Sequence, residues 1–237
     1  MAEINFEERA VAFIDVLGFS SLVKKAVIEN SKREQLQFLV SLLEDVIPIL
    51  GEGVEPTVPK HLVPKHIYIS DSIILSAPIN DQAMKHYSGL EIVVMRAIQL
   101  THRFLEAGYL LRGGISVGKV WHGESNIVGP AYEEAYEIQD TVCKPCILLS
   151  ESALRLWKNG FGASSRMCVL NQGSLMVNGL HDFYVPDKSH GGIERAYEKY
   201  TQLVEKQINS SLPKDPKAKW KWFSYYLKRE KKLVTGK

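Results

Sequence analysis

Two aspartates in this 237-residue sequence lie where carboxylates are costly. Asp15 interrupts an apolar, β-branched-rich run at residues 11–16, the pattern of a buried central strand, and Asp71 lies between Ile69 and Ile73 of two strand-like runs. A buried carboxylate needs a cation, a proton or several hydrogen-bond donors. If adjacent strands bring the pair together, their repulsion favours a divalent cation. The pair therefore predicts a metal site, although Asp15 alone also fits a helix cap and Asp71 alone a hairpin turn.

The residues that follow Asp15 suit a bound phosphate. Gly18 permits a sharp turn, and Ser20 and Ser21 are good N-cap residues for a helix. The first N–H groups of a helix have no partner within it, so they bind anions well. A strand, a carboxylate, a glycine turn and a helix start in this order are typical of a site for a metal-bound phosphate.

Three motifs resemble those of the class III nucleotidyl cyclases. Residues 15–20, DVLGFS, resemble the first metal motif of that family, and residues 69–71, ISD, are similar to the motif of its second metal aspartate. Residues 110–139, LLRGGISVGKVWHGESNIVGPAYEEAYEIQ, resemble the strand and helix entry that follow. The resemblance covers residues 8–187. The stand-alone domain and its IDVLGF wording most resemble the pyrimidine cyclases of the bacterial Pycsar antiphage systems.

This resemblance implies a reaction and the residues for it. In such cyclases the ribose 3′-hydroxyl attacks the α-phosphorus of a nucleoside triphosphate and pyrophosphate leaves. Asp15 and Asp71 would hold two divalent ions, Mg²⁺ or Mn²⁺ rather than zinc, with the Val16 carbonyl as a further ligand. Four backbone N–H groups would hold the β- and γ-phosphates, those of Leu17, Gly18, Phe19 and Ser20. By analogy the enzyme is a homodimer with composite active sites.

The transition-state groups of the family are replaced in this chain. The family's asparagine position falls on Glu133 and its arginine position on Glu137. Neither glutamate can stabilise a pentavalent phosphorane as an amide or a cation does. Arg112, or a lysine such as Lys119, is left to take that catalytic role, and the family's phosphate-binding lysine falls on Asn178. These replacements keep open a second hypothesis, a nucleotide-binding regulatory module without turnover.

The positions that read the base in the family favour a pyrimidine here. The adenine-reading lysine corresponds to Ile67, which cannot hydrogen-bond a purine edge, and its aspartate partner to Asn126, which can donate and accept. Tyr68 or Tyr132 is bulky enough to reduce the pocket to pyrimidine size. We therefore expect conversion of UTP, or else CTP, to the 3′,5′-cyclic nucleotide, by resemblance an antiphage second messenger. An adenylate or guanylate cyclase with an unusual base pocket is the alternative.

Hydrophobic periodicity predicts the elements that position these residues. It indicates helices over residues 31–50 and 81–108, the second with Asp81 as N-cap and Gly108 as C-cap. A loop is expected at residues 51–64, a hairpin around Asp71, and a long strand through Arg112. This order predicts an α+β fold with helices against one antiparallel-dominated sheet. The resemblance implies the same more sharply, a ferredoxin-like βαββαβ cyclase core with a C-terminal helical extension.

The composition is that of a soluble globular protein. The chain is 45% hydrophobic and 24% charged, with a formal net charge of +2. Because it has no long apolar run and begins with polar, acidic residues, we expect a cytoplasmic protein without a membrane partner. Three cysteines are too few for a disulfide framework. The CxxC at residues 143–146 lacks a second ligand pair, so we interpret these thiols as incidental.

The chain is expected to divide at its C-terminal side. Residues 1–187 would form the cyclase domain, and residues 188–237 a basic helical extension packed on it. Residues 213–237 interleave basic and aromatic residues, a composition found in nucleic-acid-binding and membrane-surface segments. Because the whole chain is almost balanced in charge, we favour a helix whose aromatic residues pack on the domain and whose lysines are solvated. No nucleic-acid partner is therefore expected.

Overall fold

The computed structural model describes the backbone of residues 3–51 and 58–236, and their side chains except those of residues 46–51 and Phe161. The predicted loop at residues 51–64 lies partly outside these ranges. In the described chain the strands are β1 (Glu7–Val16), β2 (Lys65–Ile69), β3 (Ser72–Pro78), β4 (Leu111–His122), β5 (Ile127–Val128), β6 (Ile147–Leu149), β7 (Cys168–Asn171) and β8 (Ser174–Val177). The α-helices in these ranges are α1 (Phe19–Ala26), α2 (Asn30–Gly51), α3 (Gly89–Glu106), α4 (Pro130–Thr141), α5 (Glu151–Lys158), α6 (Gly192–Asn209) and α7 (Lys214–Thr235). None of these helices is long and apolar enough to cross a membrane.

The central strand of the sheet is β1. The strands follow in the order β2-β3-β1-β4-β6-β8-β7, and β5 pairs with β4 outside that path. β1 runs antiparallel between β3 and β4, so both of its edges are paired, and its residues 10–14 are buried. A continuous apolar run is what such a strand requires. The order along the chain and the β2-β3-β1-β4 pairing confirm the predicted ferredoxin-like βαββαβ core within an α+β fold.

Helices cover both faces of β1. On one face Ile14 packs in a cluster with Val93 of α3, and on the other Phe13 packs in a cluster with Ala135 of α4. Gly114 of β4 permits the close approach of α4, because a Cβ atom there would lie 2.4 Å from the carbonyl oxygen of Ala135. α4 therefore lies directly on β1 and β4, close to the C-terminal end of β1.

The two C-terminal helices pack on the domain through an aromatic cluster. Trp220, Phe223 and Tyr226 of α7 are buried together with Leu105 of α3 and Met176 of β8. The opposite face of α7 is exposed and carries Lys214, Lys221, Lys228 and Lys232. α7 thus buries these three aromatic residues and exposes these four lysines.

Buried polar contacts also fasten α7. Glu230 is only 1% exposed, and its Oε2 accepts hydrogen bonds from Arg166 Nη2 at 2.8 Å and from Asn178 Nδ2 at 3.1 Å. The hydroxyl of Tyr226 donates to Oδ1 of Asn178 at 2.5 Å. Asn178 therefore holds α7 through both atoms of its side-chain amide.

The helix predicted over residues 81–108 begins later than expected. α3 begins at Gly89, and the Oγ of Ser88 accepts the N–H of Glu91 at 3.3 Å, which makes Ser88 the N-cap. The prediction of Asp81 as N-cap was wrong, because its carboxylate accepts two N–H groups of a separate turn just after it. Gly108 follows the helix with a φ of +87°, the left-handed conformation typical of a helix end.

Candidate active site

Asp15 and Asp71 lie side by side at one end of the sheet. Asp15 is near the end of β1, and Asp71 lies in the two-residue turn between β2 and β3. The register sets Asp15 opposite Ser72, and the N–H of Val16 donates to the carbonyl oxygen of Asp71 at 3.2 Å. Ser70 adopts a φ of +61°, a left-handed conformation suited to so short a turn. Strand pairing thus places the two carboxyl groups close enough for Asp71 to raise the pKa of Asp15.

One carboxylate oxygen of Asp15 is held by two donors. Arg112 lies opposite Asp15 in the register of β1 and β4 and donates from Nε to Oδ2 at 3.0 Å. Gln139, in the last turn of α4, donates from Nε2 to the same oxygen at 3.2 Å. Arg112 also donates from Nη1 to the carbonyl oxygen of Val142, just after α4, at 3.3 Å. These contacts fix the orientation of the Asp15 carboxylate and leave Oδ1 for a ligand or for Asp71.

The position of Asp15 makes its carboxyl group hard to ionise. The pKa of Asp15 is raised to about 6, first by burial and then by the adjacent Asp71, while Arg112 opposes the rise. A cation between the carboxylates would remove this repulsion. The donors are hard oxygen atoms, so the residues fit Mg²⁺ or Mn²⁺. No group of three or more His, Cys, Asp or Glu side chains forms a metal cluster in the described ranges, so further ligands would be backbone, phosphate or water oxygens.

The turn after Asp15 is closed by glycine. Gly18 has a φ of +91° and is the N-cap of α1, without a side-chain cap. Ser20 and Ser21 therefore lie inside the first turn, and their prediction as N-cap residues was wrong. Because glycine adopts the left-handed conformation without strain, Gly18 serves as the N-cap, two residues before Ser20.

The amides of this turn differ in availability. The N–H of Leu17 donates to the carbonyl oxygen of Leu110 at 2.9 Å, so the prediction that this amide holds a phosphate is contradicted here. Phe19 and Ser20 are the first two residues of α1, where N–H groups have no partner within the helix. Together with Gly18 they follow Asp15 closely in sequence and present an anion-binding helix end.

Of the predicted base-reading residues, Ile67 lies on the α4 side of the sheet. Ile67 is 9% exposed and belongs to a buried cluster with Ile127, and Tyr132 packs against that cluster. Asn126 is exposed, and its Oδ1 accepts the N–H of Ile127 at 2.8 Å. Tyr68 follows Ile67 in β2, so its side chain points to the opposite face of the strand. Of the two tyrosines, only Tyr132 therefore shares the side of Ile67.

The glutamates at the family's transition-state positions are exposed on α4. Neither Glu133 nor Glu137 is hydrogen-bonded to Asp15 in the described chain. A third glutamate, Glu134, is turned to the sheet and accepts hydrogen bonds from Ser116 at 2.5 Å and from Ser152 at 3.3 Å. This contact anchors α4 to β4 and α5.

Arg112 and Lys119 are the two candidate cations for the transition state. Of these two, only Arg112 lies at the aspartate pair of the same chain. Lys119 stands opposite Glu8 in the strand register and approaches its carboxylate at 3.6 Å. Seven residues of extended strand separate Lys119 from Arg112, a span of about 24 Å. Of the two alternatives left open by the sequence, the geometry favours Arg112.

Gln139 is the site residue that sequence reasoning missed. It is 4% exposed, and it lies on the same face of α4 as the buried Ala131 and Ala135. The spacing of four residues between these positions is a helical signal that could have marked the glutamine as inward-facing. A buried amide needs partners, and the carboxylate of Asp15 supplies one.

The CxxC contains one exposed and one half-buried thiol, both free. Burial raises the pKa of Cys146 to about 11, so this thiol stays protonated at neutral pH. A protonated thiol is a poor nucleophile and a poor metal ligand.

No protein-family model matches the chain, and the search of curated proteins finds no match. Solved structures do match. The adenylyl cyclase CyaB from P. aeruginosa is 14% identical, with a TM-score of 0.51 over 74% of this chain and 94% of that one. The monomeric guanylyl cyclase domain of the RhoGC fusion protein from the aquatic fungus Blastocladiella emersonii is 18% identical, with a TM-score of 0.53 over 75% and 99%. The catalytic core of a rhodopsin-guanylyl cyclase with converted specificity, in complex with ATPalphaS, is 18% identical, with a TM-score of 0.50 over 75% and 98%. The chain therefore has the fold of adenylyl and guanylyl cyclase domains.

Proposed function

We propose that this protein is a nucleotidyl cyclase that converts UTP, or CTP in its place, into the 3′,5′-cyclic nucleotide and pyrophosphate. The observation that carries the proposal is the pair Asp15 and Asp71, held side by side at one end of β1 in a cyclase fold. The antiphage role is proposed on the motif resemblance to the Pycsar cyclases.

The residues of the site would divide the work as follows. Asp15, Asp71 and the Val16 carbonyl would hold two divalent ions. Such ions would lower the pKa of the attacking hydroxyl and neutralise charge on the phosphates. Gly18, Phe19 and Ser20 would bind the phosphate chain through their amides. Arg112 would keep the Asp15 carboxylate oriented, and its guanidinium would stabilise the charge that develops on the phosphorus.

The base preference rests on Ile67 and Asn126. Ile67 offers only apolar contact, and Asn126 offers one amide that can face either a uracil or a cytosine edge. Tyr132 on the same side would limit the depth available to the base. A purine would lose the hydrogen bonds that the lysine and aspartate supply in the resembling family, so we expect it to be a poor substrate.

We further propose a homodimer with two composite sites, in which the base-reading residues of one protomer complete the aspartate pair of the other. Residues 1–187 would be the catalytic domain, residues 188–237 its extension, and the cytoplasm its location. Ile69 and Tyr136 are large exposed apolar side chains on β2 and α4, the elements that such an arrangement would bury.

The test is incubation of the purified protein with each of the four nucleoside triphosphates and Mn²⁺, with products identified by mass spectrometry. Wild type is compared with Asp71→Asn and with the matched control Asp140→Asn, which changes an exposed aspartate on α4. We expect cyclic UMP or cyclic CMP from wild type and the control, and none from Asp71→Asn.

Two other outcomes would replace the proposal. Cyclic AMP or cyclic GMP as the main product would favour a purine cyclase and contradict the argument from Ile67 and Asn126. Metal-dependent nucleotide binding without pyrophosphate release would favour the regulatory module, which the exposed Glu133 and Glu137 in place of the family's asparagine and arginine motivate.

A further inference from the structure

A cavity opens on the side of the sheet opposite α4. Its volume is about 730 Å³, within the range of small-molecule sites. Its walls are the outer side of α3, the segment 182–189 and the first turn of α6. Because α3 packs on β1 from the face opposite α4, this cavity is separate from the aspartate pair.

The α3 wall carries two arginines. Arg96 is half-buried, and its Nη1 donates to the amide oxygen of Gln99 at 3.0 Å. In the described chain Arg96 has no ion pair with a carboxylate, and burial lowers its pKa. Arg103 lies two helical turns further on, about 10.5 Å along the axis, and also lines the cavity. A half-buried guanidinium whose assigned acceptor is a neutral amide is a ready site for an anion.

The acidic residues of the cavity cancel only part of this charge. Asp187 is already engaged, since its Oδ2 accepts a hydrogen bond from Arg195 Nη2 at 2.8 Å and its Oδ1 one from the N–H of Ser189 at 3.0 Å. The other acidic side chains at the walls are those of Asp182 and Glu194. The basic side chains there are those of Arg96, Arg103 and Lys188. The N-terminus of α6 adds a partial positive charge, because Gly191 caps it without a side-chain acceptor.

The segment 182–189 contributes a surface for an aromatic ring. Phe183 is 69% exposed, unusual for a phenylalanine, and it lines the cavity beside Tyr184. The ammonium group of Lys188 lies 5.1 Å from the centre of the Phe183 ring. An aromatic face next to several cations suits a ligand that combines a flat ring with negative charge.

We propose that this cavity binds a nucleoside di- or triphosphate as a regulatory ligand, with the phosphate chain along Arg96 and Arg103 and the base on Phe183. Because the two arginines lie about 10.5 Å apart along the axis of α3, a chain of two or three phosphates can contact both of them. The proposal is independent of which nucleotide the cyclase consumes and of whether it turns over.

The experiment is titration calorimetry of UDP, ADP and pyrophosphate into the Asp15→Asn/Asp71→Asn protein in EDTA, which removes the metal-dependent site. We expect one binding site per chain, with at least tenfold weaker binding in Arg96→Gln/Arg103→Gln and in Phe183→Ala. Lys206→Gln, an exposed cation on α6 outside this cavity, is the matched control and should bind as the parent does. Circular dichroism and melting curves of each variant separate loss of binding from loss of fold.

Two results would overturn the proposal. One is the absence of binding in the folded parent protein, and the other is binding that the arginine and phenylalanine variants leave unchanged. Equal affinity for pyrophosphate and UDP would also contradict it, because the ring would then contribute nothing. A failed cyclase assay leaves this measurement intact, since no turnover is read.

Discussion

Gln139 and Asp15 are 124 residues apart in sequence, and a hydrogen bond of 3.2 Å joins the amide of one to Oδ2 of the other. This contact ties the end of α4 to the aspartate at the end of β1. Arg112 holds the same oxygen from β4. The position of the carboxylate therefore depends on how α4 packs against the sheet.

Replacing Gln139 by leucine should weaken metal binding. The leucine keeps the helix and much of the side-chain volume, but it leaves Arg112 as the remaining donor of the two to Oδ2 of Asp15. Loss of a hydrogen bond to a metal-binding side chain lowers metal affinity roughly 10–100-fold. Electron paramagnetic resonance of free Mn²⁺ measures the affinity directly, without turnover. Glu137→Gln, on the exposed face of the same helix, is the control. Equal affinity in Gln139→Leu and wild type would show that the amide does not position Asp15.

Mn²⁺ affinity should fall as the pH is lowered through the pKa of Asp15. That pKa is raised to about 6, so the carboxylate is ionised above this pH and protonated below it. Metal binding needs the ionised form, so the affinity should be constant above about pH 7 and fall roughly tenfold per pH unit below about pH 6. The same resonance measurement across this range tests the expectation. A profile that stays flat down to about pH 4.5 would place the pKa at its ordinary value instead.

Stability should fall with acid because of His102. This side chain is fully buried, its ring contacts the hydroxyl of Tyr200 and the carbonyl of His181, and burial lowers its pKa from 6.5 to about 4. Between these values the unfolded chain binds a proton that the folded chain excludes, so stability is full above about pH 6.5 and is lost as the pH falls towards 4.

The loss from His102 is expected to reach at most about 3 kcal/mol. Urea unfolding of wild type and His102→Gln at about pH 7 and about pH 5 measures it. His102→Gln should be less stable than wild type at the higher pH, and its stability should depend less on the pH. Since burial also lowers the pKa of His122 to about 3, some sensitivity should remain. An identical pH effect in both proteins would exclude His102 as its source.

Removing the ring of Phe223 should strongly destabilise the protein. Phe223 is 2% exposed in the cluster that joins α6 and α7 to the domain, and truncation of such a residue costs about 3–5 kcal/mol. Tyr225 on the same helix is 76% exposed, so Tyr225→Ala should change stability by less than about 0.5 kcal/mol. Denaturant midpoints give both values. Similar effects from the two variants would mean that α7 does not depend on its buried face.

Mixing two inactive variants should restore activity if the sites are composite. Asp71→Asn damages the metal side and Asn126→Ala the base side, so a heterodimer collects both defects in one site and keeps the other intact. Random exchange of equal amounts should give about a quarter of the wild-type rate. Sedimentation velocity checks that dimers form. A mixture as inactive as its parts, despite exchange, would contradict sites shared between protomers.

The sequence was sufficient to identify the aspartate pair. Each carboxylate interrupts or follows an apolar run, and strands pair in few ways once the central one is recognised. Asp15 and Asp71 could therefore be named as a candidate pair from the sequence, on the condition that adjacent strands bring them together. The turn at Gly18 was also predicted from the sequence. The N-cap of α1 is Gly18 rather than Ser20, because the left-handed φ of the glycine and not a capping side chain determines where the helix begins.

Other features depend on contacts that no local pattern reveals. Gln139 reaches Asp15 only because α4 crosses β1, a tertiary arrangement that helical periodicity leaves undetermined. The start of α3 was misjudged because Asp81 and Ser88 are both good caps, and only the packing of the intervening residues chooses between them. The occupation of the Leu17 amide by Leu110 likewise follows from the register of β1 and β4.

The central position of β1 has a consequence during synthesis. β1 ends at residue 16, whereas its two partners begin at residues 72 and 111, so its apolar run leaves the ribosome long before either partner does. At about 5–20 residues per second, the strand waits for several seconds with both edges unpaired. An apolar, β-branched segment in that state is prone to aggregation. The nascent chain should therefore bind a holding chaperone at β1 until β4 has emerged.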